Sequence, residues 1–106
     1  MKYFTKYFKD PANHTQEKYI NALKKNGNVL QFILNQTEDM CMLAILHSPD
    51  RLRYVMHQTE PICLIAVKLN GLTLEFVKPD LQTDAVVNAA IKKNPYALQY
   101  VINQTP

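Results

Sequence analysis

The sequence predicts an all-α fold, a short right-handed solenoid of about four and a half stacked helix pairs with 22–24 residues each. Two observations predict it. A short motif recurs at nearly constant spacing, and the segments around it carry apolar residues at helical intervals. We therefore predict one helical-repeat domain over residues 1–106, with about eight or nine short helices. Residues 1–14 would form a degraded first repeat or a cap.

The repeated motif is a Gln-Thr pair, and its copies follow one another at spacings of 22, 24 and 22 residues. The copies are Gln36-Thr37, Gln58-Thr59, Gln82-Thr83 and Gln104-Thr105. Each copy is preceded by a leucine, an aromatic residue and an aliphatic residue, as in Leu30, Phe32 and Ile33. Agreement at so many positions indicates duplication of a helix-pair unit.

Each unit is predicted to contain an A helix followed by a B helix. The B helices open at threonines, which suit the N-cap position: Thr15, Thr37, Thr59 and Thr83. Acidic residues follow these threonines and basic residues close the helices, as a helix dipole favours. The A helices begin near Asn28, Pro49, Leu72 and Pro95. Gly27 and Gly71 stand between helical patterns, where glycine serves as a helix stop.

The B helices carry one apolar face with a small residue at its centre. Apolar residues fall at i, i+1, i+4 and i+5, as in Met40, Cys41, Ala44 and Ile45. Alanine at the centre allows a neighbouring helix to approach closely. Because a single helix pair cannot bury this face by itself, stacking of pairs supplies the missing partner.

The carboxyl-terminal part resembles a family of tandem helical repeats of unknown function, found in proteins of large viruses, phages, protists and bacteria. The resemblance is clearest over residues 70–104, in Leu74 to Val77, Asp84 to Asn94 and Tyr96 to Val101. It is weaker over residues 16–69, where Thr-Glu replaces the family's acidic start, and residues 1–14 scarcely match. The resemblance implies an all-α stacked fold and brings no catalytic residues with it.

Composition places the chain among ordinary soluble proteins, with 47% hydrophobic and 20% charged residues. The balance of 12 basic against 9 acidic residues is weaker than the basic excess typical of nucleic-acid binders. No apolar run reaches the roughly 18 residues of a membrane span, and the start lacks the apolar stretch of a secretion signal. We therefore predict a cytoplasmic protein without a membrane partner, in the host cytoplasm if the chain is viral.

No residue cluster predicts a catalytic, metal or cofactor site, so we do not expect an enzyme. Cys41 and Cys63 occupy equivalent repeat positions, which is typical of buried small hydrophobic residues. A metal site would need more Cys or His ligands at suitable spacing. His14, His47 and His57 have no repeated partner for acid–base chemistry and are predicted to be polar surface residues.

Basic residues recur at the ends of the B helices and would line one edge of a stacked fold. This basic edge consists of Lys24, Lys25, His47, Lys68, Lys92 and Lys93. One interpretation is that these residues complement helix dipoles and keep the protein soluble. The alternative is a positive strip that binds phosphate groups or an acidic protein face.

Apolar residues interrupt the face of the B helices opposite Ala44, given about 100° per residue. This apolar patch consists of Ile20, Met42, Leu46 and Leu64. It is either a protein-binding surface or a surface covered by another element, such as residues 1–12.

The chain ends just after the last A helix, without a capping unit. This C-terminal end would leave an incompletely covered apolar face, formed by Leu98, Tyr100, Val101 and Ile102. It suggests a homodimer.

These features favour a non-enzymatic helical-repeat module that binds proteins. The family resemblance suggests a virus- or phage-encoded inhibitor or adaptor that acts on a host protein complex. The alternative is a nucleic-acid-associated protein that uses the basic edge.

Overall fold

The computed structural model describes residues 14–102, and this range is helical with no β-strand, which confirms the predicted all-α class. Its α-helices are α1 (His14–Lys25), α2 (Glu38–His47), α3 (Glu60–Leu69) and α4 (Asp84–Lys93). Its 3₁₀ helices are η1 (Gly27–Phe32), η2 (Pro49–Tyr54), η3 (Gly71–Phe76), η4 (Pro79–Leu81) and η5 (Pro95–Tyr100). The predicted first repeat or cap lies outside the described residues, apart from His14.

The chain divides into two compact units between Val55 and Met56. In unit 1, α1 packs on α2 and η1 packs on η2. In unit 2, α3 packs on α4 and η3 packs on η5. Each unit therefore places the like elements of two helix pairs side by side.

The α-helices begin at the predicted threonines in three of the four repeats. Thr37 accepts a hydrogen bond from the Met40 N–H at 3.2 Å, and Thr83 accepts one from the Val86 N–H at 3.3 Å. Thr59 occupies the same N-cap position without a side-chain bond. The prediction that Thr15 precedes its helix was wrong, because Thr15 lies within α1.

The A helices are 3₁₀ helices of six residues, which the repeat pattern did not predict. Asparagines open three of them by accepting a hydrogen bond from the N–H two residues later: Asn26 at 2.9 Å, Asn70 at 3.1 Å and Asn94 at 3.0 Å. Such local side-chain bonds favour turns over helix interiors. The predicted starts at Pro49 and Pro95 are confirmed, whereas those near Asn28 and Leu72 lie one residue earlier.

The two glycines lie two residues beyond the ends of α1 and α3, and they are also the first residues of η1 and η3. Neither has a positive φ, and both are buried. A Cβ on Gly71 would lie 2.3 Å from the Ala90 carbonyl oxygen and 2.9 Å from the Asn94 nitrogen. Gly71 is therefore required by the close approach of η3 to α4. A Cβ on Gly27 would meet only ordinary contacts, the nearest being Arg51 Nε at 3.5 Å.

The core consists of the predicted apolar face of the B helices together with leucines of the A helices. The central alanines, Ala44, Ala66 and Ala90, are completely buried, as are Leu30, Leu52 and Leu74. Because alanine has almost no side-chain volume, it brings the helix backbones close enough for such leucines to fill the space between elements.

Candidate functional site

The basic edge lies at the carboxyl ends of the α-helices, and all six of its residues are exposed. Lys24 and Lys25 close α1, and His47 closes α2. In unit 2, Lys68 closes α3, and Lys92 and Lys93 close α4. These last three lysines line a surface cavity of about 380 Å³ together with Ala89. The sequence predicted the exposed lysines but not the cavity between them.

The members of the apolar patch differ in exposure. Leu46 is 63% exposed, whereas Ile20, Met42 and Leu64 are half-buried. Unit 1 brings Ile20, Met42 and Leu46 onto two adjoining helices, while Leu64 lies on α3 in unit 2. The sequence reasoning missed Leu69, which is 44% exposed at the position that holds Lys25, His47 and Lys93 in the other α-helices. The alignment of the repeats shows this leucine at a position that is otherwise basic.

The predicted C-terminal end is partly exposed. Leu98 and Ile102 are 53% and 55% exposed, and Tyr100 and Val101 are half-buried. Beside them the structure has a cavity of about 450 Å³, whose lining residues are Pro95, Tyr96, Leu98 and Gln99. The ring of Tyr96, which was not predicted, is 78% exposed. A homodimer through this end stays a prediction.

Three glutamines of the Gln-Thr pairs, Gln36, Gln58 and Gln82, join one helix pair to the next. Gln58 Nε2 donates to the Phe76 carbonyl at 2.8 Å, and Gln58 Oε1 accepts from the Lys78 N–H at 2.9 Å. Gln82 repeats both bonds, with the Tyr100 carbonyl and the Ile102 N–H, each at 2.9 Å. We call this pair of hydrogen bonds the glutamine bracket. The motif therefore recurs because its glutamine holds helix pairs together, and not because it marks a binding site.

Cys41 and Cys63 are buried, as predicted, and each packs against the glutamine bracket of its own repeat. Their Sγ atoms lie 3.7 Å from Gln36 Oε1 and 3.6 Å from Gln58 Oε1. Burial raises the pKa of both thiols to about 11, and nearby carboxylates add to the shift. Because the thiolate is the reactive form, these cysteines behave as inert hydrophobic residues at neutral pH.

Within residues 14–102, no three His, Cys, Asp or Glu side chains converge in a way that could hold a metal ion. His47 and His57 are exposed, as predicted. His14 begins α1, and its side chain lies outside what the structure describes. None of the helices in this range combines the length and the apolarity that crossing a bilayer demands.

Comparison with known proteins gives one match. Residues 59–104, a little under half of the chain and all within unit 2, are similar to the family described as Domain of unknown function (DUF4116). No curated protein and no solved structure has significant similarity to the chain. The predicted resemblance to a domain family of unknown function is thus confirmed for this segment. The repeat nature and the viral, phage, protist and bacterial range of that family stay predictions.

Proposed function

We propose that this protein is a non-enzymatic helical-repeat module that binds an acidic protein surface through Leu46 and the lysines beside it. The supporting observation is that one repeat position is exposed in every described α-helix. Lysine occupies this position at 24, 68 and 92, whereas α2 carries Leu46 there. An apolar side chain that is 63% exposed contributes little to folding.

Burial of Leu46 by a partner would contribute to binding. Full burial of a leucine is favourable by about 1.5–3 kcal/mol, which is the scale of an interface anchor. Met42 lies one turn earlier on the same helix and would extend the contact. The adjoining helix α1 ends in the exposed Lys24 and Lys25. A partner that places carboxylates around an apolar side chain matches this arrangement, because charge complementarity at the rim sets specificity.

We further propose that the stacking seen within each unit continues along the chain as a right-handed solenoid. The support is the sequence, since the Gln-Thr spacing of 22 residues between Gln36 and Gln58 resembles the spacings elsewhere. We also propose that the protein is a virus- or phage-encoded inhibitor or adaptor that acts in a host cytoplasm. Its support is the family resemblance alone.

The test is capture of host proteins on the immobilised full chain, with Leu46→Lys as the decisive variant. This change installs the lysine of the other α-helices, so helix content and stability should stay unchanged by circular dichroism. We expect Leu46→Lys to abolish capture of one acidic partner. The matched control is Leu34→Lys, a similarly exposed leucine (61%) outside the α-helices, which should retain that partner. Equal capture by Leu46→Lys and the unchanged protein would refute the proposal.

The second candidate is a nucleic-acid-associated protein that uses the basic edge. The exposure of all six basic residues at helix ends favours it. Phosphate contacts make such binding strongly salt-dependent. A gel-shift titration with single-stranded and double-stranded oligonucleotides at two salt concentrations tests it, and absence of a shift at low salt would eliminate it.

A further inference from the structure

One residue beside the cavity in unit 2 is smaller than its counterparts in the two preceding repeats. Ala89 on α4 is equivalent to Leu43 on α2 and Ile65 on α3, all three of them half-buried. Ala89 and the lysines at the ends of α3 and α4 line a concavity of about 380 Å³. This volume lies in the range of small-molecule sites, roughly 300–1,000 Å³.

The charge around this cavity is strongly positive. Lys68, Lys92 and Lys93 line it, and none of them forms an ion pair with another residue in the part of the chain that the structure describes. The carboxyl ends of α3 and α4 also point here, and each contributes roughly −0.5 of a unit charge. Three lysines outweigh about one negative charge in total, so the cavity keeps a net charge of about +2.

The lining also indicates which anion would fit. The ammonium group of lysine is a flexible point charge that binds phosphate groups well. Among the described residues that line the cavity there is no aromatic ring on which a nucleic-acid base could stack. We propose that Lys68, Lys92, Lys93 and Ala89 form a binding site for a compact, multiply charged phosphate compound of the pyrophosphate class. This site goes beyond the proposed protein-binding function and does not depend on it.

The test is a titration of the isotope-labelled full chain with inorganic pyrophosphate at low salt, followed by amide NMR shifts. We expect saturable shifts at residues 68, 89, 92 and 93, and weaker affinity as salt rises. Lys24 and Lys25 provide an internal control, because they are exposed lysines at a helix end in unit 1. Their amides should shift little and without saturation.

Two kinds of variant separate a shaped site from diffuse charge. Ala89→Ile keeps all three lysines but narrows the cavity with the residue that α3 carries at this position, and it should weaken pyrophosphate binding several-fold. Lys92→Gln keeps the cavity but removes one charge, and it should weaken binding and its salt dependence. Lys24→Gln removes the equivalent charge in unit 1 and should leave binding unchanged. The amide spectrum of each variant shows whether it is folded.

Three results would overturn the proposal: no saturation with pyrophosphate, unchanged binding by folded Ala89→Ile, or equal shifts at Lys24 and Lys25. A single-stranded oligonucleotide provides the last arm. If the oligonucleotide binds more tightly than pyrophosphate and shifts the amide signals of Lys24 and Lys25 as strongly as those of the cavity residues, the basic edge binds a polymer and the compact site does not exist. Leu46→Lys should bind pyrophosphate normally, so this proposal and the protein-binding proposal fail separately.

Discussion

Thr73 is a buried hydroxyl residue at the start of η3. Its side chain is 2% exposed, and its Oγ1 has no hydrogen-bond partner in the part of the chain that the structure describes. The equivalent positions 29 and 97 hold valine and alanine, so the repeat itself tolerates an apolar residue here. Burying an unsatisfied hydroxyl costs roughly 1–3 kcal/mol.

We therefore expect Thr73→Val to raise the free energy of unfolding by about 1 kcal/mol, measured by urea denaturation. The matched control is Thr83→Val, because the Thr83 hydroxyl caps α4 and donates to Glu60 Oε2 at 2.6 Å. That variant should lose about 1 kcal/mol. A lower stability of Thr73→Val would show that the hydroxyl has a partner, such as a bound water.

The glycines that begin η1 and η3 occupy the same repeat position but face different surroundings. Gly71→Ala should destabilise the protein by about 1–3 kcal/mol or more, because the new Cβ meets backbone atoms of α4 that cannot move separately. Gly27→Ala should change stability by less than about 1 kcal/mol. The alanine lowers the conformational entropy of the unfolded chain, and this gain offsets the small cost of its new contacts. Thermal unfolding of both variants tests this, and equal losses would contradict the close approach at Gly71.

The glutamine bracket makes a second prediction for the packing of helix pairs. Gln82→Met keeps the length of the side chain but removes its bonds to Tyr100 and Ile102, and should destabilise by about 1–2 kcal/mol. Gln99→Met is the control, because Gln99 is exposed and, among the described residues, its side chain bonds to Tyr96 within η5 alone. We expect urea midpoints to fall for the first variant alone. Equal midpoints would mean that water replaces the bracket without cost.

The elements show what sequence reasoning could and could not reach. The α-helices were predictable because capping threonines, apolar periodicity and dipole-ordered charges agree at each copy. The 3₁₀ form of the A helices was not, because six residues with apolar positions three and four apart fit either helix type. The close approach at Gly71 could not be predicted, because it depends on the distance between η3 and α4. The sequence shows only that an Asn-Gly pair lies between helices.

At the scale of the whole molecule, the exposure of the basic edge and of Leu46 was predicted, whereas the half-burial of Ile20, Met42 and Leu64 was not. The basic edge followed from charges at helix ends, and Leu46 followed from a leucine in a row of lysines. The cavity beside Lys68 did not follow, because it requires the volume of a neighbouring side chain as well as the charges. The replacement of Leu43 and Ile65 by Ala89 was nevertheless visible in the repeat alignment. Both proposals in this protein therefore start from positions where one copy departs from the others.

The two units share one feature that acts on the stability of the entire chain, a buried thiol in each. Folding raises the pKa of Cys41 and Cys63 from 9.0 to about 11. A folded pKa above the unfolded value means that the folded chain holds these protons more tightly. The contribution of the protonated thiols to the free energy of unfolding is therefore complete below pH 9, and it is lost as pH rises towards about 11. A variant without these thiols should not lose stability for this reason.

The test compares the protein with the double variant Cys41→Val and Cys63→Val, which carries the valine that Val87 places at the same repeat position. All other ionisable groups are the same in both proteins, so their effects cancel in the difference. We expect the difference in unfolding free energy to shift in favour of the variant between pH 9 and pH 11. A difference that stays constant over this range would mean that the thiols are solvated in the folded protein. At neutral pH the folded protein should correspondingly resist thiol-specific reagents until denaturant is added.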